Sequence, residues 1–251
     1  MPTYRDEAVV LRTHKLGEAD RIITLLTRQS GKVRAVAKGV RRTKSRFGSR
    51  LEPFMYVDLQ AYTGRSLDTI TQVETIAAFA DPIATNYELF TCASAMAEVA
   101  DRVVTEEHQP AAAQFWLLVG ALRALASGSH ASGLVLDAYI LRALSQAGWA
   151  PEVYLCAGCG MPGPHAAFSH ALGGAACGAC RPPGSRSVGP DTLDLLQAML
   201  TGDWELADHS TYLTREKAHS IISLFAQRQL EMDIRSLYHI PKPKVDGPTQ
   251  I

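Results

Sequence analysis

The sequence lacks any run of about eighteen consecutive apolar residues, the length needed to cross a membrane as a helix. Its most apolar stretch, AAAQFWLLVGALRALA, is interrupted by Gln114 and Arg123 and predicts a helix buried in a protein core. The first residues, MPTYRDEAVVLR, carry charges at Arg5, Asp6 and Glu7 and have no apolar segment typical of a signal peptide. We therefore expect a cytoplasmic protein without membrane contact, whose thiols are kept reduced.

Several catalytic signatures are also missing. The sequence contains no GxxxxGK[ST] phosphate-binding loop, no GxGxxG that opens a helix, and neither GxSxG nor HExxH. The acidic residues form no cluster of the kind that holds magnesium in nucleases. The trio Glu106, Glu107 and His108 lies between two predicted helices, where we interpret it as solvated surface. These absences favour a binding protein and disfavour an ATPase, nuclease or polymerase.

The first 80 residues consist of short apolar and β-branched segments separated by turn residues. In the fourth segment, Met55, Val57, Leu59 and Ala61 alternate with polar or aromatic residues, as in a strand with one buried face. Five antiparallel strands in this length predict a small β-barrel, either an OB-fold or an SH3-like barrel. The predicted strands are EAVVLRT, RIITLLT, KVRAVAK, FMYVDLQAY and LDTITQVE.

After residue 80 the sequence becomes rich in Ala and Leu at helical spacing. Asp81 before Pro82 is a typical helix start, and helices are predicted near 82–104, 111–127, 132–147, 190–201 and 214–232. The predicted class is therefore α+β and multidomain. We expect a barrel at 1–80, a helical domain at 81–150, a cysteine module at 151–185, closing helices at 186–240 and a frayed tail at 241–251.

Four of the five cysteines form two CxxC pairs with the spacing Cys-x2-Cys-x17-Cys-x2-Cys. Two such turns supply four thiolates to one tetrahedral zinc ion, and the spacing falls in the range of four-cysteine zinc sites. The predicted ligands are Cys156, Cys159, Cys177 and Cys180. Because four thiolates leave no open position for water, the predicted zinc is structural.

Other interpretations of this segment stay open. A CxxC pair can be a redox site, although here the pairs lie in a loop rich in Gly and Pro instead of between a strand and a helix. His165 or His170 could replace one cysteine as a ligand. A deaminase zinc site is excluded, because no HxE or CxE motif precedes a PCxxC. The fifth cysteine, Cys92, is predicted to be a buried apolar residue of a helix.

Charge is divided unequally along the chain. The first 80 residues carry fourteen basic and eight acidic residues, a net +6, and the remainder carries eleven and seventeen, a net −6. Within 28–50 there are nine basic residues and no acidic one. Solvated surfaces usually mix both signs, so this run predicts a surface that binds phosphate backbones. An acidic membrane surface or an acidic protein tail would be attracted by the same charge.

Aromatic residues accompany this basic run. Phe47 lies inside it, and Tyr56 and Tyr62 lie on the predicted outer face of the next strand. Stacking of bases on aromatic rings is typical of proteins that bind single strands. Each ring taken alone is more often packed in a core than stacked on a base. The basic run and the aromatic residues together predict nucleic-acid binding with little sequence specificity.

The segment LGEADRIITLLTRQSGKVRAVAKGVRRTKSRFGSRLEPF resembles the N-terminal region of the RecO family of bacterial DNA-repair proteins. The segment with the four cysteines resembles the zinc module of the family's cysteine-bearing members. The resemblance implies an OB-fold, a helical domain and one structural Zn2+. It supports DNA contact at Lys32, Arg34, Lys38, Arg41, Arg42, Lys44 and Arg46.

The resemblance also implies a function. We expect a recombination mediator without catalytic residues that binds single- and double-stranded DNA, anneals complementary strands and helps load RecA onto SSB-coated DNA. The implied partners are RecR and the acidic C-terminal tail of SSB. We expect a monomeric or weakly associating protein that is associated with the nucleoid when bound to DNA. Two alternatives are a redox-regulated zinc chaperone or sensor and an RNA-binding OB protein.

Overall fold

A computed structural model describes residues 2–231 and 233–240. The chain begins with five β-strands and continues as helices, with a small sheet between the fourth and fifth helices along the chain. The strands are β1 (Thr3–Leu16), β2 (Asp20–Thr27), β3 (Gly31–Ala37), β4 (Met55–Tyr62) and β5 (Asp68–Ala78). The helices that follow are α1 (Ala80–Ala84), α2 (Tyr87–Val103), α3 (Ala112–Ser127) and α4 (Ser132–Gln146).

The second half contains a three-stranded sheet and three further helices. The sheet strands are β6 (Ala167–Ser169), β7 (Gly174–Ala175) and β8 (Arg186–Ser187), in the order β7-β6-β8. The helices are α5 (Pro190–Thr201), α6 (Trp204–His209) and α7 (Tyr212–Gln229), followed by a 3-10 helix over Arg235–His239. None of the described helices is long and apolar enough to cross a membrane.

The first five strands form a closed barrel with the order β1-β2-β3-β5-β4. All neighbours are antiparallel except β3 and β5, whose parallel pairing is limited to Ala35 with Asp68 and Val36 with Thr69. The interior contains the alternating apolar residues of the strands, including Val57 and Leu59. The α+β class and the OB-like arrangement predicted from the sequence are confirmed.

A second hydrophobic cluster joins the barrel to the helices. It contains the buried faces of α2, α3, α4, α5 and α7, together with Val9, Leu11, Leu26 and Tyr56 from the outer face of the barrel. The outer face of β1 and β2 therefore packs on the helical part, with Thr24 only 1% exposed. Because barrel and helices share this core, the division into separate domains stays a prediction.

The predicted helices are largely confirmed, with one correction. The helix predicted at 82–104 is two helices, because the Asn86 side chain accepts hydrogen bonds from the backbone N–H groups of Glu88 and Leu89 and starts α2 there. The sequence prediction also omitted α6 and the 3-10 helix. The predicted frayed tail at 241–251 lies outside the described residues.

Candidate metal centre and nucleic-acid surface

The four predicted zinc ligands lie on two tight turns that the small sheet brings together. Cys156 and Cys159 precede β6, and Cys177 and Cys180 follow β7. The first turn closes through Cys156 N–H to the Met161 carbonyl and Gly160 N–H to the Cys156 carbonyl, both at 2.8 Å. It is joined to β7 by the Ala157 N–H, which donates to the Ala175 carbonyl at 2.8 Å.

The sulfur atoms form a compact cluster. All four lie within 4.8 Å of one another, and the Sγ atoms of Cys159 and Cys177 are 3.8 Å apart. Four thiolates bound to one zinc ion at ~2.3 Å in a tetrahedron are separated by ~3.8 Å along each edge. The donor set and its spacing therefore fit one zinc ion, and the four cysteines could hold a metal ion.

The acidity of the thiols fits the same interpretation. The backbone N–H of Cys177 donates to the Cys156 sulfur at 3.3 Å, and this bond is the main cause that lowers the pKa of Cys156 to about 6. Hydrogen bonds to the neighbouring thiols raise the pKa of Cys180 to about 12. One thiolate is thus favoured, whereas four adjacent thiolates need a cation between them.

Glycine is required at one point of this cluster. A Cβ atom on Gly158 would lie 2.9 Å from the Cβ of Cys180, closer than real Cβ contacts, and 3.2 Å from its Sγ. The histidines between the pairs lie outside the sulfur cluster. The Nε2 atoms of His165 and His170 hydrogen-bond the carbonyls of Met161 and Ile221 at 3.0 and 3.1 Å. The metal-binding geometry therefore involves the cysteines and neither histidine.

The fifth cysteine has a different environment. Cys92 is fully buried on α2, and burial raises the pKa of its thiol to about 12. A neutral thiol in an apolar core behaves as a small hydrophobic residue. The prediction that Cys92 is a core residue is confirmed.

The predicted nucleic-acid contacts fall into two groups. Lys32 and Arg34 lie on the outer face of β3, as the alternation predicted, but both pair with acidic residues that follow the barrel in the chain, and only Arg34 stays exposed. The Lys32 ammonium is 3.4 Å from the Asp101 carboxylate, and the Arg34 guanidinium pairs with Glu107. The His108 N–H also donates to the Lys32 carbonyl at 2.9 Å, so the segment between α2 and α3 runs directly beside β3.

The other five candidates lie in the loop between β3 and β4. We define residues 38–50 as the basic loop. Val40 and Phe47 of this loop, with Leu51 after it, belong to the barrel interior and close one end of it. Their burial fixes the backbone and directs the basic side chains to solvent. The exposed residues are Lys38, Arg41, Arg42, Lys44, Arg46 and Arg50.

The basic loop is tied to the turn between β1 and β2. The Arg41 guanidinium donates to the carbonyls of Glu18 and Gly17 at 2.9 and 3.3 Å. The Gly39 N–H donates to the Asp20 carboxylate at 2.7 Å. These bonds hold the start of the loop beside the first hairpin, so its cations have a defined position.

The cations of the basic loop differ from the other basic residues of the barrel. Among the described residues, none of the six lies within 4.0 Å of a carboxylate. Outside the loop, the barrel's cations are mostly ion-paired: Arg5 with Asp58, Arg12 and Lys32 with Asp101, Arg21 with Glu52, Arg28 with Glu7, and Arg34 with Glu107. The positive charge of the barrel is therefore concentrated at the loop end.

The burial of the aromatic residues agrees with packing, the more frequent role of each ring taken alone. Phe47 and Tyr56 are 1% and 5% exposed, so neither ring offers a face for stacking, and of the three aromatics only Tyr62 is partly exposed. Glu106 and His108 are exposed, as interpreted from the sequence, whereas Glu107 is partly buried and forms an ion pair with Arg34. The opposite net charges of the two halves were the signal that acidic residues of the helical part would cover part of the basic face.

Comparisons with known proteins give a consistent result. A sequence model described as "Recombination protein O N terminal" matches residues 1–79, and one described as "Recombination protein O C terminal" matches residues 84–238. The protein named DNA repair protein RecO from Nocardioides sp. is 52% identical over 242 residues, which cover 95% of this chain and 99% of the relative. The DNA repair protein RecO of Thermobifida fusca is 52% identical over 237 residues, 94% of this chain and 98% of the relative. The chain belongs to the RecO family of DNA repair and recombination proteins.

Proposed function

We propose that the chain is a recombination mediator that binds single- and double-stranded DNA through the basic loop, anneals complementary strands and helps load RecA onto SSB-coated DNA. The observation that carries this proposal is the set of six exposed cations at the loop end of the barrel without acidic partners among the described residues. Paired cations give little net field, whereas these unpaired cations can neutralise DNA phosphates and release the counterions condensed on them.

The mechanism is electrostatic. Cations held on a rigid loop neutralise phosphates of two strands at once and reduce the repulsion between them. Base pairing then supplies the free energy of annealing, so no group has to act as acid, base or nucleophile. We accordingly propose that the chain has no catalytic residue of its own.

The DNA contacts proposed are Lys38, Arg41, Arg42, Lys44 and Arg46. For Lys32 and Arg34 the ion pairs with Asp101 and Glu107 support a role in holding the helical part on the barrel, and DNA contact there would compete with those pairs. The proposed site is therefore narrower than the basic run of the sequence.

The four cysteines are proposed to bind one structural Zn2+. The metal would supply charge neutralisation and cross-linking to Cys156, Cys159, Cys177 and Cys180, the chemistry of a staple. The residues around them, β6, β7 and β8, form too small a sheet to stabilise this segment alone.

The proposed partners are RecR and the acidic C-terminal tail of SSB, with RecA reached indirectly. An acidic tail and a DNA phosphate would be attracted by the same uncompensated cations, which supports a handover between the two ligands. We propose a monomer located in the cytoplasm, associated with the nucleoid when DNA is bound.

Strand annealing on SSB-coated DNA tests the proposal. The wild-type chain should accelerate annealing of complementary oligonucleotides coated with SSB. The double variant Arg42→Ala/Lys44→Ala should lose most of this acceleration, whereas the matched variant Lys217→Ala/Arg228→Ala, which removes two exposed cations of α7, should retain it. Equal loss in both variants, or no acceleration by the wild type, would contradict the proposal.

A further inference from the structure

Trp116 is a large aromatic residue that α3 holds partly in solvent. Its side chain is 46% exposed, although the neighbouring Phe115 is fully buried. The two rings meet edge to face at 5.1 Å, which anchors the indole to the core. On one side, the Arg28 guanidinium lies 5.1 Å from the indole centroid, and an ion pair of 2.8 Å with Glu7 holds this arginine. The indole is therefore fixed in orientation while nearly half of it stays open.

Gly120 lies one helical turn after Trp116 on the exposed side of α3. A glycine inside a helix is less stable than alanine by about 1 kcal/mol. A Cβ at Gly120 would meet no atom within 4 Å, and its φ is not positive, so neither packing nor backbone geometry requires glycine. The consequence of this residue is a flat strip of helix surface beside the indole.

Arg123 completes the same stripe. Trp116, Gly120 and Arg123 are related by helical spacings of four and three, so they lie on one side of α3, and all three are exposed. No ion pair of Arg123 occurs among the described residues. Residues 108–136 contain no Asp or Glu, so no acidic side chain of this segment repels a bound anion.

We propose that the stripe Trp116–Gly120–Arg123 is a second binding site, which takes one nucleotide of single-stranded nucleic acid. The base stacks on the Trp116 indole beside Arg28, the sugar lies across Gly120, and a phosphate pairs with Arg123. An aromatic face flanked by guanidinium groups is the chemistry that binds bases of any sequence. This inference rests on the proposed DNA-binding function and places a contact outside the basic loop.

The position of the stripe relative to the basic loop fits one bound strand. Arg28 lies at the turn of the β2–β3 hairpin, and Lys38 follows the opposite end of β3. The seven residue pairs of this hairpin span roughly 20 Å at ~3.4 Å per residue. OB-fold proteins bind ~4–16 nucleotides of single strand. A bound strand of several nucleotides is therefore long enough to contact both the basic loop and the α3 stripe.

Fluorescence of a single tryptophan tests the stacking directly. In the full chain, Trp149→Phe/Trp204→Phe leaves Trp116 as the only tryptophan. Titration with oligothymidylate of about 20 nucleotides should quench this fluorescence in parallel with the anisotropy change of a labelled oligonucleotide. Oligonucleotide binding seen by anisotropy without a change in Trp116 fluorescence would overturn the proposal.

Affinities of variants provide the second test. Trp116→Leu should weaken binding of the oligonucleotide about 5- to 150-fold, the range for loss of one stacked base, and Trp116→Phe should restore most of it. Gly120→Gln, a helix-forming change that covers the flat strip, should weaken binding as well. The control Tyr154→Ala removes a more exposed aromatic, 68% exposed near the cysteines, and should have no effect.

The outcomes separate this inference from the proposed function. If Arg42→Ala/Lys44→Ala weakens binding while Trp116→Leu and Gly120→Gln leave it unchanged, the basic loop is the DNA site and the α3 stripe is not. If the wild-type chain binds no oligonucleotide, both fail. Retained DNA affinity in Trp116→Leu with lost binding of a protein partner would also overturn the proposal, since the stripe would then be a protein contact.

Discussion

The Lys32 ammonium donates a hydrogen bond of 2.9 Å to the backbone carbonyl of Asp101 and lies 3.4 Å from its carboxylate. This contact joins the outer face of β3 to the last turn of α2. Both side chains are largely removed from water, with 12% and 15% exposed, and Arg12 approaches the same carboxylate at 3.1 Å. A residue of the basic run thus serves to attach the helical part to the barrel.

Replacing Lys32 should therefore change stability more than DNA affinity. Lys32→Ala leaves a largely buried carboxylate with one partner fewer, and we expect the free energy of unfolding in urea to fall by about 2 kcal/mol. Lys44→Ala, in the exposed loop, should leave stability unchanged and weaken DNA binding. The opposite pattern, with DNA affinity lost and stability kept in Lys32→Ala, would return Lys32 to the DNA site.

The turn between β2 and β3 packs so closely on the segment after α2 that a side chain at position 31 has no space. Gly31 has φ +65°, and a Cβ there would overlap the Gln109 carbonyl oxygen. Gly17 has φ +57°, and a Cβ there would meet nothing within 4 Å. The control Gly17→Ala therefore measures only the backbone cost of a side chain at positive φ, about 1 kcal/mol. Thermal unfolding should show a markedly larger loss for Gly31→Ala than for Gly17→Ala. Equal losses of stability in the two variants would mean that the segment containing Gln109 can move away from β3 without an energetic cost.

The four-cysteine site predicts how much zinc the protein binds and which substitution removes it. Metal analysis of reduced protein should give one zinc per chain, and Cys156→Ser should remove it and destabilise the helical part, since metal-binding free energy in such modules is folding free energy. Cys92→Ser is the matched control: it places a hydroxyl in the core and can lower stability, but its zinc content should equal that of the wild type. Full zinc occupancy in Cys156→Ser would exclude this cysteine as a ligand.

A buried ion pair in the helical part predicts how stability depends on pH. The His219 Nδ1 is 2.8 Å from the Asp137 carboxylate, and the charge of Asp137 raises the pKa of His219. Burial raises the pKa of Asp137 in turn. Both groups bind protons more tightly in the folded state. The free energy of unfolding should therefore fall as pH rises above ~6.5, the unfolded pKa of histidine, through the raised pKa of His219.

The variant His219→Gln should lose this part of the pH dependence. It should also be less stable than the wild type by ~2–3 kcal/mol near pH 7, because Asp137 is left as a buried carboxylate without its cation. The double variant His219→Gln/Asp137→Asn removes that charge and should recover part of the loss. Urea denaturation between pH 6 and pH 9 measures both effects. If the free energy of unfolding of His219→Gln depends on pH with the same slope as that of the wild type, the pair does not titrate in this range.

Local patterns were sufficient to predict the strands, most helices and the cysteine cluster. Met55 to Ala61 alternate strictly, so the faces of β4 follow from the sequence. The sulfur cluster follows from spacing, because each CxxC turn determines its own geometry. The break at Asn86 was missed, since a side-chain cap competed with a continuous apolar pattern that favours one long helix.

The partners of the basic residues could not be predicted in the same way. The Lys32–Asp101 and Arg34–Glu107 pairs join residues 69 and 73 positions apart, and their formation depends on how the helices pack on the barrel. The place where Phe47 packs could not be predicted for a related reason, because nothing local indicates that a loop aromatic closes the barrel end. The sequence located the positive charge, and tertiary packing decided which part of it stays free.

The salt dependence of binding to single-stranded DNA tests the central claim most directly. With about 4–7 phosphate contacts, the logarithm of affinity should fall against the logarithm of salt concentration with a slope of roughly −3 to −5. In the variant with Arg41, Arg42, Lys44 and Arg46 all changed to alanine, the slope should become shallower by about 0.7 for each lost contact. A wild-type affinity that does not depend on salt, or a variant with unchanged affinity and slope, would contradict the account.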